Sequence, residues 1–328
     1  MKILVIRFSS IGDVVLTTPV IRCLKLQTKA EVHVVTKTAF QSVYEHNPYI
    51  DKCVLIEKSI REVVAELKQA RYDYVIDLHH NIRTLKLKRA LGVPSYSFPK
   101  KNIAKFLLTA FKINRLPKIH VVDRYFEAVK KLGVKNDGKP ADFFLTEDDT
   151  VDLVAYKLSS KNYLAVAMGA QYATKQIPLE KLVDILQQQA LPIVLLGGKM
   201  DEERSALVKS KLSEKKIVDF CGKIPLRSSA YLTKHASVIL TGDTGLMHIA
   251  SCFETPVVSV WGNTVPDFGM YAYFPEKPEK NVIHEVSNLT CRPCSKIGYQ
   301  KCPKKHFHCM TQQDASKISA SITAMKSH

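Results

Sequence analysis

The chain alternates short apolar runs, rich in β-branched residues, with longer stretches in which apolar positions recur every three or four residues. In the first half, the runs KILVIRF, EVHVVTK, CVLIEK and YDYVIDL predict buried strands. The intervening stretches, near residues 13–25, 40–45 and 60–70, have the periodicity of helices. Strands that alternate with helices are typical of a parallel, doubly wound sheet.

The alternation begins again after the polar stretch TEDDT and a predicted helix at residues 151–158. NYLAVAMGA, PIVLLGG, IVDFCG, ASVILTGD and PVVSVWG predict strands, separated by helices. The sequence therefore predicts the α/β class with two Rossmann-like domains, residues 1–155 and 156–328. A cysteine-rich segment (291–309) and a C-terminal helix are expected in the second domain. Ligands of such sheets bind beyond the carboxyl ends of the strands, so we expect the chemistry in those loops, around a cleft that both domains face.

Composition narrows the classes of function. Of the 328 residues, 46% are hydrophobic, which is typical of a globular protein. No apolar run approaches the roughly 20 residues that span a bilayer, and the N-terminus runs directly into a strand, so a cytoplasmic location is expected. The net charge of +17 indicates polyanionic partners, which are nucleic acid, an anionic membrane or phosphorylated substrates.

The loop FSSIGDVVLTTP follows the first predicted strand. Ser10 and Gly12 would let backbone amides approach a ligand, and Asp13 lies near the start of the next helix. Asp13 could equally be no more than a helix cap. The loop lacks the glycines of a dinucleotide fingerprint, which disfavours a Rossmann oxidoreductase.

Three loops of the second half also follow strands. In MGAQYATKQIP, Lys175 is either a cation suited to phosphate or a solvated surface lysine. In VLLGGKMDEERS, Asp201 either binds ribose hydroxyls or caps a helix. In VILTGDTGLMHIAS, the free amides of Thr244 and Gly245 at a helix start predict an anion site, and His248, one turn in, would face the same ligand.

These residues carry a resemblance to a known family. ILVIRFSSIGDVVLTTPVIRCLK, GAQYATKQIP, GGKMDEERS and DTGLMHIAS resemble the family 9 glycosyltransferases, in order and over nearly the whole chain. That family comprises lipopolysaccharide heptosyltransferases with a GT-B fold. The resemblance implies an inverting transfer of heptose from ADP-heptose to the inner core of lipid A–Kdo lipopolysaccharide, at the inner face of the bacterial inner membrane. A monomer without a cofactor is expected, and the absence of an Asp-x-Asp pair is consistent with a metal-independent reaction.

The resemblance also implies roles for individual residues. Asp13 resembles the general base of the family, and Lys175 resembles the cation that faces the donor phosphates. Asp243 resembles the contact to the donor-sugar hydroxyls, and Asp201 a contact to the ribose. The donor-binding set is then Ser10, Gly12, Asp201, Asp243, Thr244, Gly245 and His248.

A basic stretch, residues 83–118, contains ten basic residues and no acidic one. Part of it can form an amphipathic helix, which suits docking on anionic lipid head groups and an acidic acceptor. The alternative is a solvated basic face over an ordinary core. His120 and Arg124 are four residues apart and resemble a family motif near the acceptor. The acceptor-binding candidates are Arg83, Lys101, Lys105, His120 and Arg124.

The last cluster contains Cys291, Cys294, Cys302 and Cys309. Structural zinc is one alternative, although the later spacings fit no common zinc finger. A cytoplasmic setting argues against stable disulfides, so thiols packed near the donor site are the favoured interpretation.

Two further alternatives remain for the function. Within the same family, the donor could be a different nucleotide sugar. From another class, the charge suggests a polyanion- or nucleic-acid-binding protein, but the chain lacks an RNP motif and a helix-turn-helix pattern. No nucleic-acid partner is therefore expected.

Overall fold

The computed structural model describes residues 1–326, which divide into two compact units. The first unit comprises Met1–Lys101 and Ile119–Leu145, and the second comprises Asn102–Lys118 and the chain from Thr146. The predicted boundary at residue 155 therefore lies later than the observed one. The basic segment Asn102–Lys118, expected in the first domain, belongs instead to the second unit.

The first unit is built on a five-stranded parallel sheet. Its strands are β1 (Lys2–Ile6), β2 (Glu31–Lys37), β3 (Lys52–Ile56), β4 (Tyr74–Asp77) and β5 (Ser95–Ser97), in the spatial order β3-β2-β1-β4-β5. In the register of the central strand, Val5 lies opposite Val34 on one side and Ile76 on the other. The apolar runs are buried because helices cover both faces of a parallel sheet.

The helices up to residue 145 are α1 (Ile11–Val15), α2 (Thr18–Thr28), α3 (Arg61–Gln69), α4 (Ile82–Leu91), α5 (Asn102–Phe111) and α6 (Val121–Phe126). Of these, α5 belongs to the second unit. The helix predicted near residues 13–25 is in fact two helices, α1 and α2. The helix predicted at residues 40–45 is a 3-10 turn, Thr38–Val43.

The second unit contains a six-stranded parallel sheet in the order β11-β10-β9-β6-β7-β8. Its strands are β6 (Leu164–Ala167), β7 (Ile193–Leu196), β8 (Ile217–Asp219), β9 (Val238–Thr241), β10 (Val257–Trp261) and β11 (Asn281–Glu285). Its later helices are α7 (Leu179–Gln187), α8 (Glu202–Lys211), α9 (Leu226–His235), α10 (Gly245–Cys252), α11 (His308–Thr311) and α12 (Ala315–Met325). The predicted C-terminal helix is therefore present as α12.

The helix predicted at residues 151–158 was wrong, because that segment forms turns instead. Within it, the Asp152 carboxylate accepts hydrogen bonds from the Val154 and Ala155 amides at 2.9 Å and 3.2 Å, which closes a turn. Val154, which the helical pattern would bury, is 79% exposed. The apolar residues that suggested a helix are isolated positions in a turn that side-chain hydrogen bonds hold.

Both sheets have a point where the strand order reverses. In the first sheet this switch point lies between β1 and β4, and in the second it lies between β6 and β9. Crevices outside the carboxyl ends of strands at such points are the usual ligand sites of open α/β sheets. None of the helices within residues 1–326 combines the length and apolarity needed to cross a bilayer.

Candidate functional site

Asp13 lies in the turn after β1, at the switch point of the first sheet. Its Oδ2 atom accepts hydrogen bonds from the Ser10 amide at 3.2 Å and the Ser10 hydroxyl at 2.9 Å. Its Oδ1 atom lies 2.6 Å from a guanidinium nitrogen of Arg7. The carboxylate therefore does cap α1, as the structural alternative predicted, but it is also held from a second side by a buried cation.

Arg7 is a site residue that sequence reasoning did not identify. It is buried directly after β1 and donates hydrogen bonds to the carbonyls of Ser9 and Leu78 and to the Tyr125 hydroxyl. Although burial alone lowers the pKa of Arg7, the Asp13 carboxylate raises it above the usual value. The guanidinium therefore stays charged and fixes Asp13 relative to β4 and α6. In the sequence, the charged residue at the end of an apolar strand was the feature that could have identified Arg7.

His79, just beyond β4, lies close to the same pair. Its ring centroid is 5.1 Å from that of Phe8. Burial lowers the pKa of His79 to about 3, and the nearby cations Arg7 and Lys100 act in the same direction. The imidazole is therefore neutral at pH 7, so Arg7 is the cation that faces Asp13 from this side.

A basic cavity of about 440 Å³ opens beside β1, β2 and β3. Its lining residues are Phe8, Lys37, Ile56, Lys58, Ser59, Ile60, Arg61, Val64, Arg83, Lys86 and Ala90. Five of these carry a positive charge and, among the residues the structure describes, no carboxylate lines the cavity. Such a lining attracts anionic groups. Of the five cations, only Arg83 had been assigned a role from the sequence; Lys86 shares α4 with it, and the other three come from distant segments of the chain.

His120 and Arg124 are predicted acceptor-side residues, but the structure buries both. They are 3% and 2% exposed. The Nδ1 atom of His120 accepts a hydrogen bond from the Val122 amide at 3.2 Å and so caps α6. Burial lowers the pKa of Arg124. Both residues therefore stabilise α6, the helix that places Tyr125 next to Arg7.

Neither Lys101 nor Lys105 is among the residues that line the basic cavity. Lys101 is exposed at the end of the first unit's opening segment, and Lys105 is on α5 of the second unit. The Lys105 ammonium lies 5.9 Å from the ring centroid of Phe268. Of the five acceptor candidates, only Arg83 lines the cavity.

The second unit brings two predicted donor-side residues into direct contact. Lys175 follows β6 and Asp243 follows β9, on the two sides of the switch point, and Nζ lies 2.6 Å from Oδ2. The same Oδ2 atom accepts a hydrogen bond from the Thr264 hydroxyl at 3.0 Å, a contact that the sequence did not suggest. A Cβ atom at Gly242 would lie 2.2 Å from the Lys175 carbonyl oxygen, which explains the glycine that precedes Asp243.

The start of α10 has the geometry expected for an anion site. Thr244 is the N-cap, and its hydroxyl accepts a hydrogen bond from the Met247 amide at 3.4 Å. Gly245 is the first helical residue, and His248 lies in the first turn, where it is buried. Unsatisfied amides and the helix dipole make such a terminus attractive to phosphate.

Asp201 lies at the start of α8, on the far side of β6 from Asp243. Its Oδ2 atom accepts a hydrogen bond from the Gly198 amide at 2.9 Å, so it acts as a local cap. Burial raises the pKa of Asp201. A Cβ atom at Gly169 would lie 2.1 Å from this carboxylate, which places Asp201 against the beginning of the loop that carries Lys175.

The four clustered cysteines are free thiols. Within residues 1–326, no three His, Cys, Asp or Glu side chains are arranged to hold a metal ion, so the zinc alternative finds no geometric support. Burial raises the pKa of Cys309 to about 12, which keeps it a thiol. The Cys294 amide donates to the Asn263 carbonyl at 3.0 Å, so the segment packs beside the loop of Thr264.

Comparison with protein families gives a match over residues 60–305 to glycosyltransferase family 9 (heptosyltransferase). Lipopolysaccharide heptosyltransferase 1 of Pseudomonas aeruginosa is 22% identical over 361 residues, covering 99% of this chain and 98% of the relative. Lipopolysaccharide heptosyltransferase 3 of Escherichia coli is 24% identical over 280 residues, covering 77% and 80%.

Solved structures resemble the whole chain. A family 9 glycosyltransferase from Veillonella parvula aligns with a TM-score of 0.75 and 22% identity, over 99% of this chain and 97% of that one. An E. coli heptosyltransferase solved with ADP aligns with a TM-score of 0.67 and 19% identity, over 99% and 100%. Together with the two parallel sheets, these likenesses confirm the predicted GT-B fold.

Proposed function

Because the chain belongs to glycosyltransferase family 9, the heptosyltransferase family, it is a glycosyltransferase, and we propose that it transfers heptose from ADP-heptose to the inner core of lipopolysaccharide. The curated relatives named as lipopolysaccharide heptosyltransferases support this acceptor class. The relative solved with ADP supports an adenine nucleotide as the leaving group. The proposed reaction inverts the anomeric centre and needs no metal ion.

The observation that carries the proposal is the contact between Lys175 and Asp243 beside the start of α10. In the proposed complex, Lys175, the amides at Thr244 and Gly245, and His248 hold the donor diphosphate. As the bond from the sugar to the phosphate breaks, negative charge grows on the departing ADP. A lysine and helix amides stabilise that charge from the protein alone.

The remaining donor contacts are proposed from where the side chains lie relative to the strand ends. Asp243 bonds hydroxyls of the donor sugar, and Asp201 bonds the ribose from the end of β7. Gly12 offers its backbone amide to the donor from the turn after β1, and Ser10, whose amide and hydroxyl are bound to Asp13, shapes that turn.

Asp13 is proposed as the general base. Inversion by single displacement requires the acceptor hydroxyl to attack the anomeric carbon on the face opposite the leaving ADP. The acceptor proton passes to the Asp13 carboxylate while the new bond forms. Arg7 holds one carboxylate oxygen, and the neutral His79 adds no competing charge.

The acceptor is proposed to be the anionic lipid A–Kdo part of lipopolysaccharide. The basic cavity that contains Arg83 offers five cations to its acidic sugars and phosphates. His120 and Arg124 act on the same side by supporting α6, through which Tyr125 reaches Arg7.

A peripheral position on the inner leaflet is part of the proposal. On α5, Ile103, Phe106 and Phe111 are 78%, 54% and 61% exposed, while Leu108 is buried in the second unit. Lys101 and Lys105 accompany this apolar edge. Exposed apolar side chains beside basic ones are suited to the boundary of an anionic bilayer, and the net charge of +17 strengthens the attraction.

The proposal is tested by incubating the purified protein with ADP-heptose and heptose-deficient lipopolysaccharide in the presence of EDTA. We expect release of ADP and an acceptor heavier by one heptose, with the opposite anomeric configuration to the donor. If transfer occurs only from another nucleotide sugar, that sugar and not ADP-heptose is the donor. No transfer, together with tight binding of random oligonucleotides at physiological salt, would favour a polyanion-binding protein instead.

A further inference from the structure

The segment after β11 holds two loops that carry donor-side residues. We call residues 291–300 the brace, the loop at residues 170–176 the lysine loop, and the loop at residues 262–265 the threonine loop. The lysine loop carries Lys175, and the threonine loop carries Thr264, which bonds Asp243. The brace contains two of the clustered cysteines, for which no role has been assigned so far.

One end of the brace is fixed to the threonine loop. The Arg292 side chain donates from Nε to the Gly262 carbonyl at 2.5 Å and from a terminal nitrogen to the Thr264 carbonyl at 3.0 Å. The Cys294 amide donates to the Asn263 carbonyl at 3.0 Å. Three successive carbonyls of the threonine loop are therefore bound by two residues of the brace.

The other end of the brace is fixed to the lysine loop through Thr174, the neighbour of Lys175. The Thr174 hydroxyl donates to the Tyr299 carbonyl at 2.9 Å and accepts from the Tyr299 amide at 2.8 Å. The Thr174 amide donates to the same carbonyl at 3.1 Å. Three hydrogen bonds thus join Thr174 to the backbone of Tyr299.

The close approach of the two segments needs a glycine. Gly298 has a φ of +122°, and a Cβ atom there would lie 2.5 Å from the Cβ atom of Tyr172. On the outer side, Lys112 Nζ donates to the Pro293 carbonyl at 2.8 Å, which ties the brace to the segment that follows α5. The brace is therefore anchored in the second unit from both directions.

From these contacts we propose that the brace fixes the distance between Lys175 and Asp243, and that Thr174 and Arg292 are positioning residues for the donor diphosphate. The proposal rests on the proposed function and adds what holds its donor site together. The sheet fixes only the strand ends, and the ion pair between Lys175 and Asp243 joins the two loops at a single point. A loop that is ordered before the donor arrives does not lose its conformational entropy on binding.

The test compares Thr174→Val, which removes both hydroxyl hydrogen bonds, with Thr174→Ser, which keeps them. We expect Thr174→Val to bind ADP about tenfold more weakly by calorimetry, because two internal hydrogen bonds are lost. The donor KM should rise while the acceptor KM stays the same, and Thr174→Ser should restore the wild-type affinity. Thr323→Val, an exposed helical threonine bonded to the Ser319 carbonyl, is the matched control and should bind normally.

The outcomes separate the two proposals. If wild-type protein binds ADP and Thr174→Val binds it equally well, the brace proposal is wrong and the proposed function stands. Failure of Thr174→Ser to rescue binding would also overturn the brace. If the wild type does not bind ADP, the proposed function fails, and the donor role of the brace fails with it. Should Thr174→Val not fold, Arg292→Lys provides the second variant, with the same weakening expected.

Discussion

The regions around the two switch points differ in their balance of charge. In the second unit, the cation Lys175 is neutralised by Asp243, and further hydrogen bonds hold both loops. In the first unit, Asp13 is held by one buried arginine, while the neighbouring basic cavity presents five cations without a carboxylate in its described lining. One region is balanced and ordered, and the other is strongly electropositive.

This difference suggests two ways of binding an anion. A balanced, ordered site presents a fixed geometry, and its interactions are short-ranged, as a donor diphosphate and its chemistry require. A surplus of cations attracts a large anionic partner over a longer range, with less geometric demand and more sensitivity to salt. Donor recognition in the second unit should therefore depend on single residues, and acceptor recognition in the first unit on summed charge.

The largest effect is expected from Asp13→Asn. The variant keeps the shape of the side chain but cannot accept the proton, so transfer should fall by about a hundredfold or more. ADP binding should change little, because the donor contacts lie mainly in the second unit. Asp184→Asn, on the exposed face of α7, is the control. Near-normal turnover by Asp13→Asn would end its assignment as the base.

Lys175→Met should weaken donor binding in the second unit, which Asp13→Asn should leave nearly unchanged. It keeps most of the aliphatic stem but removes the charge, so ADP should bind about thirtyfold more weakly in calorimetry, as for the loss of a charge-assisted hydrogen bond. Lys209→Met, on the exposed side of α8, should bind ADP normally. Equal affinity of Lys175→Met and wild type would show that the lysine serves only its ion pair with Asp243.

Charge reversal of Lys101 and Lys105 together should weaken binding to anionic vesicles about tenfold at low salt, and less at high salt. Sedimentation with vesicles that contain phosphatidylglycerol measures the effect. Lys130→Glu with Lys209→Glu changes the net charge equally at other exposed positions. A loss of the same size in both double variants would mean that the outer surface of α5 has no special role.

The smallest effect is expected in the basic cavity, where several cations together bind the acceptor. Arg61→Gln should raise the KM for the acceptor about fivefold and leave kcat nearly unchanged, since one partly solvated charge of five is removed. Arg89→Gln, on α4 but outside the cavity lining, should not change it. An unchanged acceptor KM in Arg61→Gln, measured at low salt, would remove the cavity from the acceptor site.

The sequence predicted the local parts of this fold well. Apolar strand runs, the helix start after Thr244 and the capping position of Asp13 depend on neighbours a few residues away, and the structure contains them. The helix predicted at 151–158 was wrong, because the Asp152 carboxylate accepts hydrogen bonds from the Val154 and Ala155 amides and closes a turn there.

The parts that the sequence could not predict are contacts between distant segments. Arg7 reaches Leu78 and Tyr125, and Thr174 reaches Tyr299, across more than 70 residues of sequence. No periodicity records such pairs, since they exist only after the sheets have formed. For the same reason, the roles of Lys175 and Asp243 could be inferred from resemblance, but their direct contact could not.

The most direct test of the central claim, donor binding at the switch point of the second unit, is calorimetric titration of the protein with ADP, UDP and GDP in the presence of EDTA. The account predicts selective binding of ADP without metal, with the affinity about thirtyfold lower in Lys175→Met. Preference for UDP or GDP would contradict the proposed donor. Failure to bind any of the three would contradict the donor site itself.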